Sequence, residues 1–140
     1  MVICQGAIMR YLPILFATLI LAACSTAPVT NIDSVVQFLL TAAASDFHVH
    51  GPSGPVRFRD VRVGHVMSPG AGIQYRLCGQ FLQAQEEGKS RWMPFATIKT
   101  SGYEQWIGAQ AAGWCQDSSV TWDKVGDLSS SLQNRLDSLR

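Results

Sequence analysis

The sequence predicts an α+β domain, a small antiparallel sheet of three to four strands flanked by an N-terminal and a C-terminal helix. Three observations carry that expectation. Apolar residues recur at helical spacing just after residue 31 and again near the end of the chain. Between these stretches lie segments rich in β-branched and aromatic residues that alternate with polar ones. Clusters of Gly, Pro and Ser separate the segments at hairpin distances.

The first helix starts at Asn31 or Thr30, either of which offers a capping side chain, and Asp33 suits the positive end of the helix. Ile32, Val35, Val36, Leu39, Leu40 and Ala43 share one face. The opposite face lacks Lys and Arg, so the helix is expected on the domain's own sheet rather than on lipid. Gly51-Pro52-Ser53-Gly54-Pro55 interrupts the chain, and Val56 to Val63 reads as the first strand. Its parity slips at Asp60: Val56 and Phe58 are even, whereas Val61 and Val63 are odd. A bulge near Asp60 reconciles the two halves. Ser68 to Gly72 marks a turn, and Ile73 to Phe81 a second strand. Glu86-Glu87-Gly88-Lys89 marks another turn before a third strand, Trp92 to Thr100, in which Pro94 predicts an edge position or an irregular start. After Ser101-Gly102, the stretch Tyr103 to Ala112 fits either a strand or a short helix. Trp122 to Arg140 reads as the closing helix, capped by Asp123 or Asp127, with Leu128, Leu132, Leu136 and Leu139 on one stripe.

The chain has 140 residues, 47% hydrophobic and 15% charged, which favours a packed globule over a disordered segment. There are 11 basic and 10 acidic side chains, and with Arg10 in the leading segment the remainder balances. Such a balance argues against general nucleic-acid binding, which needs a basic excess to displace counterions.

Tyr11 to Ala23 is an uncharged apolar run. It is shorter than the roughly 20 residues that span a bilayer core, and it fits the apolar region of a secretory signal. An uncleaved anchor over residues 1–23 would carry Arg10 inside the membrane, at considerable cost. The run ends in Leu21-Ala22-Ala23-Cys24, which resembles the lipobox of bacterial lipoproteins. The small residues suit an extended backbone in a peptidase site, and the Cys sulfur is the atom that forms a thioether to diacylglycerol. The resemblance implies a signal over residues 1–23, lipidation at Cys24, a tether over residues 24–30 and one globular domain over residues 31–140. It also implies stable anchoring by several acyl chains. Ser25, where a retained inner-membrane protein would carry Asp, implies the outer membrane. Met1 to Met9 lacks the basic charge a signal starts with, and Met9-Arg10 would supply it, so Met9 is the expected start.

Of the four Cys, Cys4 lies in the leading segment and Cys24 takes the lipid. Cys78 and Cys115 remain and are expected to form a disulfide in an oxidising compartment. In the chain-entropy account, a crosslink over that loop contributes roughly 4 kcal/mol.

Candidate chemistry is sparse. Asp46, His48 and His50 carry metal-ligand types, and in an extended segment the two His share a face. The competing expectation is a solvated polar loop, so no metal or other cofactor is assigned. Arg57, Arg59 and Arg62 form a local basic strip. Arg57 and Arg59 fall on one strand face, where a phosphate or carboxylate fits across them. Trp106 belongs to a run of Trp around the expected disulfide and is a candidate binding aromatic. Ser101-Gly102-Tyr103 resembles a loop of small periplasmic lysozyme-inhibitor lipoproteins. The spacing to the next aromatic differs, so no residue role carries over. No nucleophile–base motif stands out.

The expected function is therefore that of a membrane-tethered, noncatalytic envelope lipoprotein with a small binding or structural domain. Its partners would be the membrane, through the lipid, and an envelope protein. The alternative is an inhibitor or accessory subunit of an envelope or secretion complex. A small metal-dependent enzyme ranks behind both.

Overall fold

The computed structural model describes residues 31–84 and 88–140. The leading segment, Cys24, the tether and the Glu86-Glu87 part of the second turn lie outside the described residues. The elements are α1 (Ile32–His50), β1 (Phe58–Ser68), β2 (Gly72–Ala84), β3 (Ser90–Lys99), β4 (Tyr103–Ile107), α2 (Ala109–Cys115), β5 (Thr121–Trp122) and α3 (Ser129–Asp137). The class is α+β, with five antiparallel strands in the order β4-β3-β2-β1-β5.

One face of the sheet carries α1 and α3. Val61, Val63, Leu77, Phe81 and Phe95 point into it and meet Val36, Leu39, Leu40, Ala43 and Phe47 from α1, with Leu128, Leu132 and Leu136 from the end of the chain. Phe47 sits at the centre. Its ring lies 5.0 Å from Phe58, 5.0 Å from Phe81 and 5.3 Å from Phe95, each edge-on, the arrangement aromatic quadrupoles favour. Gly79 makes this packing possible, because a Cβ there would lie 2.8 Å from both Phe95 and Val61.

Asn31 caps α1, accepting from the Asp33 backbone N–H at 3.0 Å. The helix runs further than its first apolar stretch, because Ala42, Ala43, Ala44 and Phe47 stay buried to its last turn. Asp46, His48 and His50 are thus helical, and the expected extended segment is corrected. On a helix, two residues apart means about 200° of rotation, so His48 and His50 do not share a face.

The bulge falls at Asp60. Arg59 pairs with Gln80 and Arg62 with Cys78, leaving Asp60 and Val61 opposite Gly79. Asp60 adopts φ 55°, the only left-handed non-Gly residue among the described residues.

Three further expectations change. Pro94 lies in an interior strand, since β4 pairs with β3 from Phe95 onward. Its carbonyl accepts from Gly108 N at 2.8 Å just beyond the β4 ladder, where no N–H of its own is needed. Tyr103 to Ala112 divides into β4 and the start of α2, on either side of Gly108 with φ 68°. The closing helix begins only at Ser129, after β5 and a loop through Gly126 with φ 81°. Asp127 accepts from Ser129 N at 2.7 Å and from its hydroxyl, fixing that start. Leu139 falls past the helix end and is exposed.

Candidate functional site

The second face of the sheet is only partly covered. It carries α2, which has seven residues, too few for a helix to persist without tertiary contacts. Cys78 on β2 and Cys115 on α2 form a disulfide, with their Cα atoms 5.9 Å apart. Ala111 buries completely against Ala96, Ile98 and Cys78, and the Trp106 and Trp114 rings lie 6.3 Å apart beside them. This small second core holds α2 down.

Three arginines on this face each lie over a tryptophan. The Arg59 guanidinium carbon is 4.2 Å from the Trp92 ring centre, Arg62 is 3.6 Å from Trp122, and Arg76 is 4.9 Å from Trp114. Such contacts strengthen as water is excluded. The three arginines are otherwise unalike. Arg76 is 4% exposed and gives its hydrogen bonds to the Trp114 carbonyl at 2.8 Å and Gln74 at 3.1 Å, with Asp117 at 3.5 Å. Arg59 donates to Gln80 Oε1 at 2.7 Å and lies 3.6 Å from Asp60. Arg62 has no hydrogen bond or ion pair among the described residues.

Arg62 and its tryptophan stand in a cleft of about 690 Å³, within the usual range for ligand sites. Its floor is Cys78, Gln80 and Pro94, one wall is Cys115 and Gln116, and the other is Trp122 with the loop to Asp127. Gly64 seats Trp122, since a Cβ there would be 2.8 Å from the indole. The backbone around the loop is well held: Asp123 N bonds Val63 O at 2.9 Å, and Leu128 N bonds Val61 O at 2.7 Å.

The carboxylates around the cleft are already engaged. Asp123 receives His65 Nδ1 at 3.1 Å, and both groups are mostly buried. Asp127 is held by Ser129, whose side-chain and backbone donors push its carboxyl below the usual range. Asp117, beyond α2, is lowered in the same way by Ser119, with a smaller contribution from Arg76. Asp60 also lines the cleft, exposed and 3.6 Å from Arg59, and the Arg62 guanidinium is the cation of the lining left without a hydrogen bond or ion pair among the described residues.

The residues singled out in the sequence are dispersed. Arg57 is exposed ahead of β1, and Arg59 faces the second face beside Gln80. Trp106 packs into the small second core, its indole N–H buried and without a partner among the described residues. Asp46 approaches the Tyr103 hydroxyl at 3.5 Å, while His48 and His50 are exposed. No three His, Cys, Asp or Glu side chains gather into a metal-sized group among the described residues.

Sequence reasoning missed the Arg62–Trp122 stack and the His65–Asp123 pair. Half of the first was within reach. A bulge at Asp60 adds a residue to the strand, so Arg59 and Arg62, three apart, must share a face. Nothing in the sequence marks Trp122 as a strand residue, because β5 is only two residues long. No family model, curated protein or solved structure matches the chain.

Proposed function

We propose that the chain is a lipid-anchored envelope lipoprotein whose domain binds, without catalysis, a ligand presenting a carboxylate to Arg62. The observation that carries the ligand class is the Arg62 guanidinium, 3.6 Å over the Trp122 ring centre in a cleft and without a hydrogen bond or ion pair among the described residues. A guanidinium so oriented offers a fork of N–H donors that matches a carboxylate. The disulfide supports the reading twice. It fixes the cleft wall before a ligand arrives, which lowers the ordering cost of binding. It also suits an exported, oxidising setting. The Leu21-Ala22-Ala23-Cys24 run supports anchoring, and Ser25 supports the outer membrane.

Two measurements test this. In bacteria fed a palmitate analogue, the full chain should be labelled and sediment with membranes, and Cys24→Ser should lose the label. Equal labelling of the variant would end the lipoprotein reading. For the cleft, nitrogen–proton spectra are followed while N-acetylated amino acids, or their amides, are added. The Arg62 side-chain and Trp122 indole signals should move with the acids alone, and Arg62→Gln should abolish the movement. Equal response to the amides would remove the carboxylate assignment.

A second reading, the accessory subunit, is favoured by one feature. Met67 and Ile73 face each other across the β1–β2 hairpin and are 72% and 50% exposed. Met67→Ser with Ile73→Ser should then lose a partner crosslinked in intact envelopes.

A further inference from the structure

The two edges of the sheet are treated differently. Beyond β1, the edge is closed: Val61 and Val63 spend their outward carbonyls on Leu128 and Asp123, and Val61 N donates to Ser129 Oγ at 3.1 Å. Beyond β4, no strand among the described residues follows. The bonds from Gly108 N to Pro94 O and from Thr100 N to Gly102 O set which β4 residues turn toward β3. By alternation, Tyr103, Gln105 and Ile107 aim their backbone N–H and C=O groups away from the sheet. None of these groups has a hydrogen bond among the described residues. Native sheets commonly cover, charge or shorten such an edge.

The flank of this edge is also apolar. Of the seven large hydrophobic side chains exposed among the described residues, four lie on β4 or α1: Tyr103 at 39%, Ile107 at 53%, Phe38 and Val49. Phe38 lies under Lys99, the ladder partner of Tyr103, with Nζ 4.7 Å from its ring. Val49 is three residues beyond Asp46, which the Tyr103 hydroxyl approaches. Strand edge and helix flank thus make one surface.

We infer that this surface is a self-association site, in which β4 pairs antiparallel with β4 of a second copy, centred on Gln105. The register follows from the strand itself. Centring on Gln105 places every outward-facing residue opposite another and forms about six backbone hydrogen bonds. It sets Tyr103 against the partner's Ile107, an aromatic on a β-branched side chain, on the α1 side of the sheet. On the other side it sets Glu104 against the partner's Trp106. Shifting the centre to Glu104 would oppose two carboxylates directly. Shifting it to Trp106 would leave Tyr103 out of the ladder. The five-residue strand is its own complement in one register, and this argues for a second copy over an unrelated strand. The α1 flanks of both copies then meet across the two-fold axis, covering Phe38 and Val49.

The full chain, purified from envelopes in mild detergent, tests the inference. Sedimentation should give two copies, and Ile107→Asp should give one while keeping the far-ultraviolet circular dichroism of the unsubstituted protein. In the proposed register the two Gln105 Cα atoms are about 5.5 Å apart, within disulfide reach. Gln105→Cys should therefore form a reducible dimer on oxidation, whereas Ser53→Cys, in an exposed loop, should not. A single copy by sedimentation with no Gln105→Cys crosslink overturns the inference. So does a dimer indifferent to Ile107→Asp, or a Gln105→Cys chain that crosslinks only to a different protein.

Discussion

Asp60 is the residue on which the second face depends. Its left-handed backbone lets the strand carry one extra residue, so that Val61 and Val63 stay in the core while Arg59 and Arg62 share the other face. A non-Gly residue in this region costs on the order of 1 kcal/mol, less for Asp than for most. Its carboxylate is exposed, and the 3.6 Å contact to Arg59 is worth little there. Backbone conformation, not charge, is therefore what Asp60 contributes. Asp60→Gly should match or exceed the stability of the unsubstituted protein, by up to about 1 kcal/mol. Asp60→Ala should lose about 1 kcal/mol or more. Denaturant unfolding of both variants decides it; equal loss in the two would show that the side chain matters. The shift in parity from Phe58 to Val61 made this bulge legible in the sequence. Its partner in the site, Trp122, was not, because a two-residue strand carries no period to read.

At the scale of elements, legibility follows the number of periodic apolar contacts. α1 has eight buried residues and was readable from its first turn; only its end was misplaced, since Ala42, Ala44 and Phe47 add burial without extending the initial stripe. β1 alternates through Val63 apart from its bulge, whereas the middles of β2 and β3 are buried on both faces, through Arg76–Cys78 and Phe95–Ile98. α2 has one buried side chain, Ala111, and its position is set by Cys115 and Gly108 rather than by a pattern. That makes the disulfide its principal tether. Replacing Cys78 and Cys115 by Ala should cost up to roughly 4 kcal/mol, by the loop-closure account. The loss should not be uniform. Amides of residues 109–116 should exchange with solvent much faster, whereas those of α1 should speed up only by the amount that global stability falls. Hydrogen exchange read residue by residue gives the answer, and full protection of α2 in the double variant would show that the small second core holds it unaided.

For the whole molecule, the two faces also differ in how they respond to acid. Ser119 and Ser129 hold the carboxyls of Asp117 and Asp127 below their ordinary value of 3.8. Groups lowered on folding contribute stability that is complete above 3.8 and is lost as pH falls through their folded values. Asp46, half-buried between α1 and Tyr103, is raised by desolvation, with His50 and Tyr103 opposing the shift. A raised carboxyl works the other way. Its ionised form weakens the fold at neutral pH, and that cost is relieved as pH falls through its folded value toward 3.8. Melting temperature should thus rise slightly on mild acidification and then fall below about pH 4. Asp46→Asn should remove the rise, because the neutral amide already has what protonation supplies, and should melt higher than the unsubstituted protein at pH 7. Asp127→Asn should melt lower at pH 7 and show a shallower fall in acid. An Asp46→Asn variant that melts lower at pH 7, with the acid profile unchanged, would mean that the Asp46 carboxylate stabilises the α1–β4 contact instead of straining it.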